Sequence, residues 1–394
     1  MKTVLLSAGD LSGERHCADL VRALRAQHSD LRFVGMGGGE MSAAGVELYV
    51  DQRQLAVGGI FEILGSLPRV IRSWRAMVRC VRETRPDVIV LVDSGGFNLS
   101  FARRARAISS APILYYVAPQ VWAWRPGRLR RLAARADRIA VILPFEPAFY
   151  ASHGITVDHV GHPAVDAFEA GRSSASKASS REAVRARLGI EAHERVLGIF
   201  PGSRRNELAR HLPIQIDAFL RLRALLADSF EVKGLVGLAP NLNRDEALAL
   251  AGAGLAAAPD ALRFISEEDA SLLDACDVAL VKPGTITVEL MLRGTPMVVI
   301  GRVHPTTALI ARHALKIDWL AMPNLIANAE IVPEFMQEAA TEDRIAAALA
   351  PLFGGEARDR QIEDLARASD RLGPAGAAAR AATIVEELLG TDPA

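Results

Sequence analysis

Two short stretches carry residue types whose spacing could hold a phosphate. In residues 196–207, VLGIFPGSRRNE, the apolar run Val196, Leu197, Ile199 and Phe200 breaks at Pro201-Gly202, and polar residues follow that can open a helix through Ile214, Ile216 and Leu220. A strand, a tight turn and a helix start aim unpaired backbone N–H groups and the positive end of the helix dipole at one point. Ser203 would add a hydroxyl there and Arg204 a fixed cation. An ordinary strand-to-helix turn with a surface arginine is the alternative. The second stretch, 277–289, DVALVKPGTITVE, repeats the arrangement with a strand at 278–281, the turn Lys282-Pro283-Gly284-Thr285, and Glu289 one helical turn beyond Thr285 on the same face. With Thr285 and nearby N–H groups on a diphosphate, the Glu289 carboxylate would accept hydrogen bonds from ribose hydroxyls. The plainer readings are a helix-surface acid at Glu289 and a solvated charge at Lys282. Two phosphate-type helix starts in one half of the chain are better support than one.

Carboxylates in the first half are candidates for acid–base work. Residues 3–8 read as a first parallel strand, followed by Gly9-Asp10-Leu11-Ser12-Gly13-Glu14 and a helix carrying Leu20, Val21 and Leu24. In a doubly wound sheet the loop after the first strand lies at the carboxyl edge, where ligands bind. Asp10 and Glu14 are therefore catalytic candidates, with a helix cap and a first-turn acid as the bland alternatives. Residues 86–93, PDVIVLVD, form a continuous, β-branched apolar run and are expected as a buried parallel strand. That strand delivers Asp93-Ser94-Gly95-Gly96-Phe97-Asn98 to the same edge. Beyond it, two of the four tryptophans, Trp122 and Trp124, fall beside Arg125, which can stack or hold an anion.

The elements that must position these residues alternate along the chain. Further strands are expected at 31–34, 113–117, 139–143, 231–238 and 297–300, which argues for two α/β domains facing each other. The glycine cluster 35–39 lacks the GxGxxG order and reads as a flexible loop, not a dinucleotide fingerprint. From 55 to 82 an apolar stripe (Val70, Trp74, Met77, Val81 after Pro68) runs beside Arg69, Arg72, Arg75, Arg79 and Arg82. This suits an anionic lipid surface; a helix packed on the sheet with a solvated basic face is the alternative. Residues 170–181 are rich in Ser and Ala and read as a linker. The stretch from about 342 is alanine-rich and helical.

Length and charge narrow the classes. A chain of 394 residues, half hydrophobic, exceeds one compact core and suggests two domains. Lys plus Arg equals Asp plus Glu at 46 each, so no global field attracts nucleic acid. Cys17, Cys80 and Cys276 have neither metal-site nor disulfide spacing, which points to a reducing cytoplasm. No apolar stretch is long enough to span a bilayer, so a soluble or membrane-surface protein is expected. Oligomeric state stays open, a homodimer included.

Taken together, these motifs resemble the lipid-A-disaccharide synthase family, inverting glycosyltransferases with the two-domain GT-B fold. The resemblance covers most of the chain in order. It rests on Ser12-Gly13, Leu55-Ala56-Val57 through Glu62-Ile63-Leu64, Asp93 with Phe97-Asn98, 116–125 (YVAPQVWAWR), Leu143-Pro144-Phe145-Glu146 and Gly161-His162. In the second half it takes in Pro201-Gly202-Ser203-Arg204 with Glu207, Gly284-Thr285 with Glu289, and Pro323-Asn324-Leu325. The resemblance implies an α/β fold of two Rossmann-like domains facing a cleft: 1–168 on the acceptor and lipid side, 183–345 for the UDP-sugar donor, and 346–394 as C-terminal helices packing back across. It implies transfer of a diacylated glucosamine from UDP to a lipid-linked glucosamine 1-phosphate at the inner face of the cytoplasmic membrane. The UDP site would map to Pro201, Gly202, Ser203, Arg204, Glu207, Gly284, Thr285, Glu289 and Asn324, with no metal and no further cofactor. The two lipid substrates add weight to membrane docking through 55–82.

The sequence departs from the family at three places: Glu14, where the family's Ser-Gly-Asp reads Ser-Gly-Glu; Pro283-Gly284-Thr285, where it has Ser-Gly-Thr; and Gly96. Where the family places its proposed base, this chain has Gly96, which cannot accept a proton. Losing a general base typically costs about 100-fold to 10,000-fold in rate. Asp93, Asp10 and Glu14 are the candidate substitutes, Asp93 first because it shares the loop. A catalytically silent or acceptor-divergent relative that binds UDP-sugar or lipid is the alternative. A soluble transferase or sugar-nucleotide epimerase of the same fold is a third reading.

Overall fold

The computed structural model describes residues 1–52, 60–124, 127–173, 181–239, 242–258, 260–266, 272–314 and 317–390. The chain divides into two compact units, Met1–Ala167 with Leu372–Ala394, and Phe168–Arg371.

Unit 1 holds a seven-stranded parallel sheet in the order β3-β2-β1-β4-β5-β6-β7. Its strands are β1 (Thr3–Ala8), β2 (Arg32–Gly37), β3 (Val46–Asp51), β4 (Val88–Val92), β5 (Ile113–Tyr116), β6 (Arg138–Val141) and β7 (Asp158–His159). The period of two in β1 and β4 sends alternate side chains to opposite faces, and both faces are covered, so the runs are apolar throughout. Val4, Leu6, Val88 and Val90 meet Leu20, Val21 and Leu24 of the Leu11–Gln27 helix and Ala381 and Val385 of the Ala377–Leu389 helix. Leu5, Ile89 and Leu91 meet Met77, Val81 and Phe101 on the other face.

Unit 2 repeats the plan with six parallel strands in the order β10-β9-β8-β11-β12-β13. They are β8 (Arg195–Phe200), β9 (Val232–Leu238), β10 (Leu262–Ser266), β11 (Val278–Val281), β12 (Met297–Gly301) and β13 (Glu334–Met336). Leu208, Leu212, Ile216 and Phe219, one stripe of the Arg205–Leu226 helix, pack on Leu197, Ile199, Val278 and Leu280. At the amino end of the sheet the buried Asp277 accepts from Arg181 (2.5 Å), Arg185 (3.0 Å) and Val196 N (2.7 Å). Removing one partner of such a buried cluster costs about 3–5 kcal/mol, because an uncompensated charge remains.

Several expectations change in detail. The glycine cluster is not a loop: β2 runs through Gly37, and Gly39 opens the short helix Gly39–Ala43. The stripe after Pro68 belongs to a longer helix, Ile60–Thr84, with Pro68 inside it. Met77 and Val81 are core residues and Trp74 packs edge-on against Phe97 and Phe101. Burial in the sheet core therefore accounts for Met77 and Val81, while Ile71 and the cations Arg69, Arg72, Arg75, Arg79 and Arg82 are exposed. Residues 53–59, and the side chains of 60–67, lie outside the described residues, as does most of the expected linker. The terminal helices fall in different units. The Glu356–Asp370 helix packs on the Ile286–Leu292 and Met322–Ala327 helices of unit 2. The Ala377–Leu389 helix belongs to unit 1, where the Asp166 carboxylate accepts from Gly376 N (2.6 Å), Ala377 N (3.1 Å) and Ala378 N (3.0 Å). Among the described residues no helix is long and apolar enough to cross a membrane.

Candidate functional site

In both sheets the order of strands reverses once, between β1 and β4 and between β8 and β11. Ligands of open α/β sheets bind outside the carboxyl ends of the strands at that point. The sequence motifs sit there in each unit.

At the unit 1 switch, Asp10 is the N-cap of the Leu11–Gln27 helix, its Oδ1 accepting from Gly13 N at 2.8 Å. The turn after β4 is strained: Asp93 and Ser94 have φ of 43° and 41°, and across from them Val117, a β-branched residue, has φ 54°. Such conformations cost about 1–3 kcal/mol each and persist only when the surroundings over-determine them. The surroundings do so. Asn98 donates to Val92 O (2.8 Å) and Asp93 O (3.2 Å), and its Oδ1 accepts from Ser7 Oγ (2.7 Å). The Tyr115 hydroxyl donates to Asp93 O at 2.6 Å. Gly96, the second residue of the Gly95–Arg106 helix, is exposed, and a Cβ built on it would meet nothing within 4 Å. Room for an acid is present; only the acid is missing.

Glu14, a catalytic candidate from the sequence, is buried and hydrogen-bonded within unit 1. It is 3 % exposed, with Oε1 accepting from Glu40 N at 2.7 Å and Oε2 accepting from Gln52 Nε2. Its carboxylate is engaged in tying the first helix to the β2 and β3 turns. Two histidines that the sequence does not mark for catalysis lie nearby. His16 contacts Ser12 Oγ (3.3 Å) and lies 6.4 Å from the Tyr116 ring. Burial lowers its pKa to about 4 against the attraction of Asp10. His162 is lowered to about 3, by burial and then by His16, and its Nδ1 accepts from Ala164 N. Both rings are neutral near pH 7. The VWAW and LPFE motifs meet through the buried Glu146, which accepts from Trp122 Nε1 (3.0 Å), Ile142 N (3.0 Å) and Leu143 N (2.8 Å). Burial pushes Glu146 up to about 7 despite these donors. Arg125 and the Trp124 side chain lie outside the described residues.

At the unit 2 switch, Gly202 has φ 114°, and a Cβ there would lie 2.5 Å from Glu207 Oε2. Only glycine makes this turn. The Ser203 and Arg204 amides, expected to be free for phosphate, donate to Glu207 Oε2 at 3.1 and 3.3 Å. Glu207 Oε1 accepts from Lys282 Nζ at 3.2 Å and lies 3.7 Å from Arg204 Nη1. Burial opposes ionisation of Glu207, but Lys282 and Arg204 outweigh it and hold the carboxyl below its ordinary range. His211, one turn on, bonds to Glu207 O through Nδ1 (2.9 Å) and accepts from Arg302 N at Nε2 (2.9 Å), which links the turn to the residues after β12.

The second motif lies on the adjacent strand. Val281 pairs with Phe200, and Lys282 N donates to Phe200 O at 3.3 Å, so Pro201 and Lys282 leave the sheet side by side. Gly284 and Thr285 precede the Ile286–Leu292 helix, and Glu289 lies on its first turn, half-buried. Asn324, expected at the UDP site, has its side chain engaged within unit 2. It is fully buried, its Nδ2 donating to Val332 O and Glu334 Oε1 and its Oδ1 accepting from Ile331 N and Val332 N, all at 2.7–2.9 Å. Nothing on this side chain is left for a ligand. Sequence reasoning placed Lys282 only as a solvated charge; its position directly after an apolar run at the switch point was the available signal.

Two doubly wound parallel sheets, each with its motifs at the switch point, define the two-domain GT-B fold. S. aureus MnaA, solved with UDP, superposes with a TM-score of 0.68 at 14% identity over 99% of this chain and 97% of that one. Acinetobacter baumannii MurG superposes with a TM-score of 0.56 at 15% identity, covering 98% and 100%. Sequence narrows the class: the family described as Lipid-A-disaccharide synthetase matches residues 4–387, and the chain belongs to it. It is 37% identical to the lipid-A-disaccharide synthase of Myxococcus xanthus over 388 residues, 98% of this chain and 97% of the relative. With that of Geobacter metallireducens it is 35% identical over 392 residues, 99% and 98%. The protein is thus a glycosyltransferase enzyme of lipid A disaccharide synthesis, with a nucleotide-sugar donor and a lipid-linked acceptor. No comparison favours a catalytically silent relative.

Proposed function

We propose that unit 2 binds the UDP of a UDP-diacylglucosamine donor through Pro201, Gly202, Ser203, Arg204, Gly284, Thr285 and Glu289, and that the turn after β4 receives a lipid-linked glucosamine 1-phosphate acceptor. The observation that carries this reading is the convergence of both phosphate-type motifs on the ends of the paired strands β8 and β11. During transfer the donor's anomeric carbon becomes oxocarbenium-like while negative charge grows on the leaving diphosphate. Arg204 and the main-chain amides of its turn stabilise that charge, and the step needs no metal. The acceptor hydroxyl is a poor nucleophile and requires a carboxylate to take its proton. Asp93 serves in place of the acid absent at Gly96, because the over-determined turn presents it at the switch point. Asp10 is the second choice, and Glu14, whose oxygens are already engaged, is not retained.

The exposed arginines of the Ile60–Thr84 helix support contact with an anionic membrane surface, at about 1 kcal/mol per cation near the lipid. The donor reading is tested by transfer assays with UDP-diacylglucosamine and its monosaccharide acceptor. Disaccharide is expected, with UDP as co-product. UDP binding without any turnover would remove Asp93 as the base and leave the donor site.

A further inference from the structure

We propose that Lys282 is a working cation of the diphosphate site, and that Glu207 is an internal anion that occupies the site until the donor displaces it. This deepens the donor reading given above and rests on it. One carboxylate collects two successive main-chain amides, an ammonium and a guanidinium: Ser203 N at 3.1 Å, Arg204 N at 3.3 Å, Lys282 Nζ at 3.2 Å and Arg204 Nη1 at 3.7 Å. That donor set is what a phosphoryl group requires.

Helix capping accounts for part of it, since an acid three residues after the N-cap commonly accepts from the N-cap amide. Capping does not account for Ser203 N, nor for a lysine brought from a different strand. The Lys282 side chain lies between the two turns: a Cβ on Gly202 would be 3.0 Å from its Cδ, and one on Gly284 would be 3.3 Å from its Cε. Both glycines leave space for the stem, and the ammonium reaches the Arg204 turn instead of bulk water. The Lys282 and Glu207 side chains are only 23% and 18% exposed, so neither charge is left without the other.

A diphosphate offers more charge and more oxygens than one carboxylate. It therefore wins the amides and Lys282 when it arrives, and Glu207 turns away from like charge. Binding is an exchange of one anion for another on a preformed set of donors, which keeps the strained Gly202 turn in one shape whether empty or filled.

The experiment is titration of UDP, UMP and uridine into full-length wild type, Lys282→Met, Lys282→Arg and Glu207→Gln, by calorimetry and, for uridine, by ligand-observed NMR. Lys282→Met should weaken UDP about 10-fold to 100-fold, UMP less, and uridine not at all, while Lys282→Arg stays within a few-fold of wild type. Glu207→Gln keeps the shape of the cap but removes the competing charge, so UDP should bind about 3-fold to 10-fold tighter. Unchanged UDP affinity in Lys282→Met, an equal loss for uridine, or weaker UDP binding in Glu207→Gln would overturn the proposal. Wild type that binds none of the three ligands would instead sink the donor reading itself.

Discussion

The two switch-point turns start from one plan and solve opposite problems. In unit 2 the turn after β8 gathers charge: Arg204, Lys282 and Glu207 satisfy one another around a glycine at φ 114°. In unit 1 the turn after β4 gathers strain: Asp93 and Ser94 stand at positive φ, held by Asn98 and Tyr115, and its exposed helix start carries glycine. A diphosphate site must stabilise charge that grows on a leaving group, so its cations are assembled beforehand. On the role proposed for it, the unit 1 turn must aim one carboxylate at one hydroxyl, which a backbone fixed beforehand serves. The difference teaches that pre-organisation is spent on electrostatics in one unit and on geometry in the other.

The sharpest way to break this contrast is Asp93→Asn, which keeps the turn's backbone contacts and removes the proposed base. We expect kcat to fall about 100-fold to 10,000-fold with UDP affinity intact. Adding Gly96→Asp in that background should restore part of the loss, since the side chain enters open space. An Asp93→Asn enzyme with wild-type kcat would show that the strained turn does not carry the base. Next in size is Arg204→Ala, which removes a fixed cation from the proposed leaving-group site. Its kcat/KM for donor should fall about 100-fold to 1,000-fold, read in steady-state assays at saturating acceptor.

Acid should distinguish the units as well. Folded unit 1 holds His16 and His162 neutral, at about 4 and about 3, whereas the unfolded chain takes up protons near pH 6.5. The stabilisation they give is therefore present above about pH 6.5 and lost as pH falls through 4 and 3. The Glu207 contribution in unit 2 is fully present above the ordinary glutamate range and is lost as pH falls through that range to its lowered folded pKa, below most of the window in which the histidines act. Denaturant midpoints measured from pH 8 to pH 4 should fall, and His162→Asn should flatten that fall; an equal slope in the variant would remove the histidines as its cause.

How much of this was legible in the residues follows from burial. β1, β4, β5, β8 and β11 are covered on both faces, and their continuous apolar runs announce them. The strands that no such run announces, β3, β7, β10 and β13, are the four sheet edges. An edge strand is half-solvated, so Val46–Asp51 mixes Glu47 with Leu48 and Tyr49, and Glu334–Met336 has no fully buried residue. Site residues divide in the same manner. The strand-to-helix turns at Gly202-Arg204 and Gly284-Thr285 declare themselves because turn chemistry is local. The fate of Glu14, Asn324 and Lys282 is decided by partners 26 to 75 residues away or, for Asn324, by a loop that wraps back on it. Residue type alone does not specify such partners.

Two glycines, one in the turn after β8 and one in the helix start after β4, provide the finest test. Gly202→Ala forces a side chain onto φ 114° and against Glu207 Oε2, so it should cost about 1–3 kcal/mol in unfolding free energy and weaken UDP. Gly96→Ala does the reverse. Its backbone is helical, a Cβ meets nothing within 4 Å, and the unfolded chain loses freedom, so stability should rise by about 0.4–1 kcal/mol. Urea melts of the two variants against wild type check both signs at once. Since a methyl group supplies no proton acceptor, kcat of the Gly96→Ala enzyme should stay at the wild-type value while the melting midpoint climbs. A drop in kcat with Gly96→Ala would mean that the acceptor's sugar passes over this glycine, and that the space left open at the helix start is filled by substrate.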